Sequence, residues 1–202
     1  MVTLHQTWSD FREDLARRRT LEGWPPGAFP TLKLFSKAGV LVVMLYRLSR
    51  WASQNRLRVL VRPLAAVNYF LTRCEISAHA DLGPGLVVAD CGLVGITGVI
   101  VAGRNCTFLG RNTLTLGAME GFDLAHERIR LGDHCVLGPG ARVMRPVTLA
   151  AATQVKANSV VLTSMERTGS TVAGVPAKRR ALDDYHQIIR WNPLYGGFLP
   201  EA

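Results

Sequence analysis

The fold of this chain is decided by residues 131–165, LGDHCVLGPGARVMRPVTLAAATQVKANSVVLTSM, in which one pattern returns every six residues. Aliphatic side chains open each repeat, at Leu131, Leu137, Val143, Leu149, Val155 and Val161. A small or aliphatic residue follows four places after each of them. Helices repeat near 3.6 residues and strands near 2, so a period of six is typical of a solenoid whose short strands stack coil on coil.

A second run with the same period precedes this one. It comprises Ile76, Leu82, Val88 and Val94, then a slip of two residues, and then Ala102, Phe108 and Leu114. Residues 117–130 interrupt the pattern with Gly, Met, Glu, Phe, Asp and His. We expect this segment to be extruded as a loop, which is where solenoids often carry their functional residues.

The chain divides into three parts by pattern. Residues 1–73 are predicted to be helical, with Ser9 as an N-cap and a second helix from Leu34 to Trp51. Residues 74–164 form the repeat region. Residues 165–202 are predicted to contain a short helix with Tyr185, Ile188 and Ile189, followed by a tail rich in Pro and Gly.

Composition limits the possible partners. The 202 residues have a net charge of +9 and 48% hydrophobic content, which suits a well-buried chain with an anionic partner. The cations are dispersed and lack aromatic platforms, so nucleic acid is not expected. The apolar run at residues 38–46 is too short to cross a bilayer, and we expect a buried or oligomer-packing helix there rather than membrane contact.

Cysteine and charge patterns indicate the compartment. The four cysteines have no CxxC spacing, and acidic residues at positions 10, 13 and 14 leave no signal peptide visible. We therefore expect a cytoplasmic protein without a metal site.

Several segments resemble the hexapeptide-repeat acyltransferases, and among these the serine O-acetyltransferase family. Residues 11–15 (FREDL) and 45–51 (LYRLSRW) are similar to its helical segment, and residues 172–178 (VAGVPAK) to its last coils. The resemblance implies a mainly β protein, a left-handed parallel β-helix with an N-terminal helical segment. It also implies acetyl-CoA as acyl donor and homotrimers, or pairs of trimers, with sites at subunit interfaces.

Small residues in the last coils are candidates for the coenzyme A site. Pantetheine is long and thin, and it fits a groove where small side chains let the backbone come close. The candidates are Gly138, Gly140, Ala141, Ala157, Ala173 and Gly174, and the cations Lys178 and Arg179 follow as candidates for the nucleotide phosphates. The alternative is that the small residues only turn corners and that the cations form a solvated face.

The expected catalytic motif is altered. The family carries Asp-His-Ala-Thr-Gly, whose histidine is the base, but the matching residues 89–93 read ADCGL, with Asp90 in place of that histidine. An aspartate is a weaker base toward an alcohol. His126, in the loop, is therefore the candidate base, with Asp90 of the same or a neighbouring subunit orienting it. The alternative is that His126 is a loop histidine that only faces solvent. Arg128 and Cys91 are candidate contacts to the acceptor, although a structural thiol is the simpler interpretation of Cys91.

Three functions remain open from the sequence. The first is acyl transfer from coenzyme A to a hydroxyl or amine of a small acceptor. The second is O-acetylation of a sugar or polysaccharide precursor. The third is a catalytically silent protein that binds acyl-CoA or a partner enzyme, which the loss of the Asp-His motif favours.

Overall fold

The computed structural model of the chain describes residues 3–23, 37–97, 100–116 and 127–180, together with the backbone of residues 191–192 and 197–198. These residues form three helices, a solenoid of short strands and a C-terminal strand pair. The predicted C-terminal helix lies outside the described residues.

Within the described part of the chain, fourteen strands wind into a prism with three faces, and each face is a sheet of parallel strands. The first face contains β1 (Glu75–Ile76), β4 (Gly95–Ile96), β7 (Thr113–Leu114), β10 (Arg142–Val143) and β13 (Val160–Val161). The second contains β2 (Asp81–Leu82), β5 (Ile100–Ala102), β8 (Ile129–Leu131) and β11 (Thr148–Leu149). The third contains β3 (Val87–Val88), β6 (Thr107–Phe108), β9 (Val136–Leu137), β12 (Gln154–Val155) and β14 (Thr171–Ala173).

The second residue of nearly every strand points into the core, as the six-residue pattern predicts. Leu82, Phe108, Leu137, Val143 and Val161 are each no more than 1% exposed. Each face places one aliphatic layer over the next, so the core is a continuous column of stacked rungs. A solenoid of this kind is stable because every coil buries its neighbours' apolar edges.

Cross-coil register corrects one predicted rung. Thr113 pairs with Gly95 across one regular coil, whereas Gly95 pairs with Glu75 across a coil that is longer by two positions. The additional positions lie between β3 and β4, and Ile96 is the rung rather than Val94. The side chains of Val94 and Ile96 are both buried. Ile96 lies in the strand, whereas Val94 fills the corner position before it.

A longer insertion separates the first two strands of the third coil. Thr113 pairs with Arg142, which lies much further along the chain than one regular coil, and the excess falls in the turn between β7 and β8. The excess coincides with the segment for which an extruded loop was predicted. Strand β8 begins at Ile129, so the predicted loop of residues 117–130 is slightly too long at its end. Residues 117–126 lie outside the described part of the chain.

Two of the three corners turn through left-handed backbone. Leu93, Arg111 and Asn158 have φ of 55°, 53° and 55° at the corner between the third and first faces. Asn105 and His134 adopt the same conformation at the corner between the second and third faces. One residue with positive φ per corner lets the chain change direction within a few residues.

The described helices precede the coils. They are α1 (Leu4–Leu21), α2 (Ala38–Gln54) and α3 (Arg58–Thr72). The predicted cap at Ser9 is wrong, because the Thr3 side chain accepts a hydrogen bond from the Gln6 amide and starts α1 earlier in the chain. The apolar run at residues 38–46 is largely buried within α2, as expected.

A buried ion pair ties the helices to the first coil. The Arg47 guanidinium donates to both carboxylate oxygens of Asp14 at 3.0 Å and to the Leu82 carbonyl at 2.6 Å. The Leu86 amide donates to Asp14 at 2.7 Å. Burial raises the pKa of Asp14, and the charge of Arg47 opposes that rise. These contacts fix α1 and α2 against the edge of the prism.

The segment after the last coil folds back on the solenoid. Strand β15 (Lys178–Arg180) pairs antiparallel with β14, and the turn between them includes a cis peptide bond at Val175–Pro176. The Ala177 amide donates to the Val160 carbonyl at 2.7 Å, which holds this hairpin to the final coil. A second antiparallel pair joins β16 (Trp191–Asn192) and β17 (Gly197–Phe198).

Candidate functional site

Asp90 lies at the irregular corner between β3 and β4, where the two additional residues are accommodated. Its side chain is exposed at the surface of the prism. Gly110 occupies the equivalent corner of the next coil, with φ of +113°. A Cβ atom on Gly110 would lie 3.0 Å from the Cβ of Asp90 and 3.2 Å from its carbonyl oxygen. Glycine at position 110 therefore lets the Asp90 corner settle directly onto the next coil.

The corner next to Asp90 is held by a buried amide. Asn112 is fully buried and its side-chain oxygen accepts a hydrogen bond from the Gly110 amide at 3.1 Å. Its side-chain nitrogen donates to the Gly138 carbonyl at 2.7 Å in the following coil. This side chain links two successive corners, so the platform against which Asp90 lies is braced from inside.

Five of the predicted cofactor residues lie along the same edge of the prism as Asp90. Backbone hydrogen bonds connect successive corners: Leu109 to Leu137 at 3.0 Å, Gly138 to Val155 at 2.7 Å and Lys156 to Val172 at 2.9 Å. The small residues brought to this edge from separate coils are Gly138, Gly140, Ala157, Ala173 and Gly174. We call this column, with Gly110, the small-residue edge.

Close packing between coils explains two of these glycines. A Cβ atom on Gly138 would lie 2.6 Å from the Ala157 nitrogen, and one on Gly140 would overlap the side-chain oxygen of Asn158. Gly140 also has φ of +71°. These two glycines therefore let successive coils pack closely, and Gly138 is itself buried, whereas Ala157 and Gly174 are exposed at the surface of the edge.

Ala141 does not belong to this edge. Its side chain is fully buried in the core, in the corner position that precedes β10. It follows the repeat rather than the surface, and the prediction that it contacts a cofactor is therefore wrong.

A basic strand borders the small-residue edge. Lys178 and Arg179 are exposed on β15, and Lys178 is paired with Ala173 across the hairpin. Lys156 lies on the edge itself, and burial lowers its pKa below the ordinary lysine value. Nothing in the sequence marks Lys156, Gly110 or Asn112, because their place on this edge follows only from the register of successive coils.

Cys91 is a half-buried thiol next to Asp90. It forms a side-chain hydrogen bond with Cys74, and that bond together with burial raises the pKa of Cys91. A thiol with a raised pKa stays protonated and is a poor nucleophile. Its packing against the core supports the structural interpretation.

Arg128, the described candidate from the loop, lies at the opposite end of the first-face strands from Asp90. Asp90 precedes the first-face strand β4, whereas Arg128 follows β7 of that face, just before β8, and is exposed. The strands of that face run parallel, so each of them begins at one edge of the prism and ends at another. Asp90 and Arg128 of one chain are therefore not neighbours across a corner. His126 lies outside the described residues.

The chain is similar in sequence to bacterial serine acetyltransferases. The chain is 32% identical over 171 residues to the serine acetyltransferase of Staphylococcus xylosus, covering 82% of this chain and 70% of the relative. It is 30% identical over 145 residues to that of Helicobacter pylori strain J99, covering 69% and 80%. No protein-family profile matches the chain.

Solved structures share the fold. Serine acetyltransferase from Neisseria gonorrhoeae superposes with a TM-score of 0.73 at 24% identity, over 89% of this chain and 68% of that one. A serine acetyltransferase in complex with CoA gives a TM-score of 0.74 at 19% identity, over 88% and 71%. These likenesses confirm the predicted left-handed parallel β-helix preceded by helices.

Proposed function

Because the chain belongs to the serine acetyltransferase family, we propose that it is an acyltransferase that moves an acetyl group from acetyl-CoA to the hydroxyl of a small acceptor. The observation that supports this most is the small-residue edge, which runs from Asp90 to the basic strand β15. Relatives named for this reaction, and a related structure with bound CoA, agree with it.

The later corners of the edge suit coenzyme A best. Ala157 and Gly174 are small and exposed there, and we place the thin pantetheine chain beside them. We assign the nucleotide phosphates to Lys178 and Arg179 on β15, since phosphates bind cations through charge-assisted hydrogen bonds. The thioester would then point toward the end of the edge where Asp90 lies.

Attack by the acceptor hydroxyl requires a base and donors for the oxyanion. We assign the base to His126 and an orienting role to the Asp90 carboxylate, which would hold the imidazole and stabilise its charged form. Arg128 would contact the acceptor. Since Arg128 and Asp90 lie at different edges of one prism, we assign the loop to a neighbouring subunit of a homotrimer, whose edge would face this Asp90.

The altered motif favours an acceptor other than serine. The base position of the family's motif is occupied by Asp90, and Ala89 removes the carboxylate beside it. A sugar hydroxyl is the second candidate acceptor, because an exposed corner can receive a group attached to a larger precursor. In this proposal Cys91 has no chemical role.

Release of free thiol from acetyl-CoA tests the reaction. The purified protein is incubated with serine, homoserine, amino sugars and nucleotide sugars, and thiol release above the acceptor-free rate identifies the acceptor. Binding of coenzyme A is measured separately by calorimetry. Binding without turnover across the panel would favour the silent interpretation, and absence of binding would refute the proposed function.

Charge reversal tests the cofactor site. K178E together with R179E should weaken coenzyme A binding about tenfold or more, because each removes a phosphate partner. R167E is the matched control, since Arg167 is also exposed but lies at another corner. Equal affinity in both variants would remove β15 from the site.

A further inference from the structure

Helix α3 presents its apolar side to the outside. Its buried residues are polar: Asn68 and Thr72 are 3% and 4% exposed, and the Asn68 side chain donates to the Val42 carbonyl of α2 at 3.4 Å. Five large apolar residues of α3 are exposed instead, Val59 by 85%, Leu60 by 47%, Val67 by 46%, Phe70 by 79% and Leu71 by 62%, while Val61 and Leu64 are half-buried. Surface helices of soluble proteins normally have the opposite arrangement.

These five exposed side chains form one continuous stripe. At about 100° per residue, they fall with Pro63 within an arc of about 120° on the helix. The polar contacts to α2 lie on the opposite side. A contiguous exposed patch of this kind marks a binding surface rather than scattered surface residues.

The charges around the stripe identify its partner. Residues 56–73 contain four arginines, at positions 56, 58, 62 and 73, all exposed, and no acidic residue. On the same helical wheel Arg62 lies about 60° beyond one border of the stripe and Arg58 lies further round the helix. The chain as a whole carries +9. A second copy presenting the same face would set arginine against arginine, whereas a surface with phosphates and an apolar interior accommodates both features.

We infer that α3 docks on an anionic phospholipid bilayer, lying in the plane of the interface. Val59 and Phe70 would insert among the acyl chains while the arginines contact lipid phosphates. The polar side of α3 stays on α2, so docking requires no unfolding.

The helix lies on the bilayer and does not span it. Helix α3 has 15 residues. Among the helices that the structure describes, none combines the length and the hydropathy that a membrane span needs.

The exposed stripe of α3 is not the apolar segment for which membrane contact was considered from the sequence. The apolar run at residues 38–46, for which no membrane contact was expected, is buried in α2. The apolar positions of α3 follow a helical period in the sequence, but only the packing shows which side they face.

Vesicle co-sedimentation of the full chain tests the inference. We expect binding to vesicles of phosphatidylcholine mixed with phosphatidylglycerol in a ratio of about two to one, and at least tenfold weaker binding to pure phosphatidylcholine. Raising the salt concentration should weaken the binding to the anionic vesicles, because surface charges are screened. Equal or absent binding to both kinds of vesicle would overturn the inference.

Two variants separate the apolar and charged parts. V59S/F70S should lower the partition coefficient on anionic vesicles about tenfold or more, and R58E/R62E should do the same while leaving the stripe intact. V175S is the control, because Val175 is 71% exposed on the C-terminal hairpin, far from α3 in the sequence and the fold. Circular dichroism verifies that each variant is folded.

Sedimentation velocity without lipid separates a bilayer from a second copy. The lipid inference requires that V59S/F70S leaves the oligomeric mass unchanged. A lower mass in this variant, with no change in vesicle binding, would show that α3 packs against another subunit and would overturn the inference.

Discussion

The buried pair of Arg47 and Asp14 provides the sharpest test of how the helices are held to the β-helix. In R47M the guanidinium is lost but most of the apolar volume remains. Four hydrogen bonds disappear: two to Asp14 at 3.0 Å, one to the Leu82 carbonyl at 2.6 Å and one to the Gly83 carbonyl at 2.8 Å. Asp14 is then left 3% exposed, with the Leu86 amide as its remaining donor among these contacts.

Removing one partner of a buried ion pair costs about 3–5 kcal/mol, because the other charge stays desolvated. For a chain of this size we expect the melting temperature to fall by roughly 10 °C. The matched control is R50M, also on α2, whose partner Asp81 is 60% exposed and paired at 2.6 Å. That exposed pair should contribute about 1 kcal/mol or less.

The pH dependence of the free energy of unfolding is an independent test of this ion pair. The pKa of Asp14 is raised in the folded protein by burial, so the folded state takes up this proton at a higher pH than the unfolded chain. Removal of Arg47 raises that pKa further, and protonation then relieves the penalty. The stability deficit of R47M relative to the wild type should therefore be smaller at pH 5 than at pH 7.

Urea unfolding followed by circular dichroism measures both effects. If R47M and R50M lose the same small free energy of unfolding, the reasoning is refuted, since burial of the pair would then carry no weight. A deficit that grows as the pH falls would contradict the assignment of the penalty to an unpaired Asp14 carboxylate.

Three further predictions concern the candidate site. H126A should abolish acetyl transfer while leaving coenzyme A binding and the melting temperature unchanged, as measured by thiol release and calorimetry; retained turnover would remove His126 from the mechanism. G110A should lower the free energy of unfolding by about 1–3 kcal/mol, because φ of +113° strains any side chain and the new methyl group would press on Asp90, whereas G92A, with open space around it, should cost less. N112A should cost about 1–3 kcal/mol, because it leaves the Gly110 amide without its acceptor and removes one of the two donors to the Gly138 carbonyl, the other being the Ala141 amide; an unchanged urea midpoint would show that water replaces the side chain.

Most of the fold was predictable because the six-residue pattern reports a local requirement. Each short strand needs an inward aliphatic side chain. The regular spacing from Leu131 to Val161 therefore shows the coils even when the contacts between coils are unknown. The slip was misplaced by one rung, since Val94 and Ile96 are both aliphatic and both buried. Only the pairing of Gly95 with Glu75 across coils distinguishes them.

The candidate site was predictable in part. The small residues and the cations of the last coils were singled out because pantetheine needs small side chains and the nucleotide phosphates need cations, and their role stays a prediction; Ala141, one of them, is buried in the core. Gly110 and Lys156 were missed, because neither stands out within its own coil. Their relation to Asp90 depends on the number of residues in every coil between them.

The sequence alone determined that the chain forms stacked coils, that helices precede them and that the repeat is interrupted before β8, because hydrophobic period and turn residues act over short stretches of chain. The tertiary structure decided which corners share an edge, and it showed that α3 turns its apolar side outward. Both depend on where distant segments meet. The physical reason is that a corner or a helix face acquires its environment from residues one or more coils away, which no local pattern records.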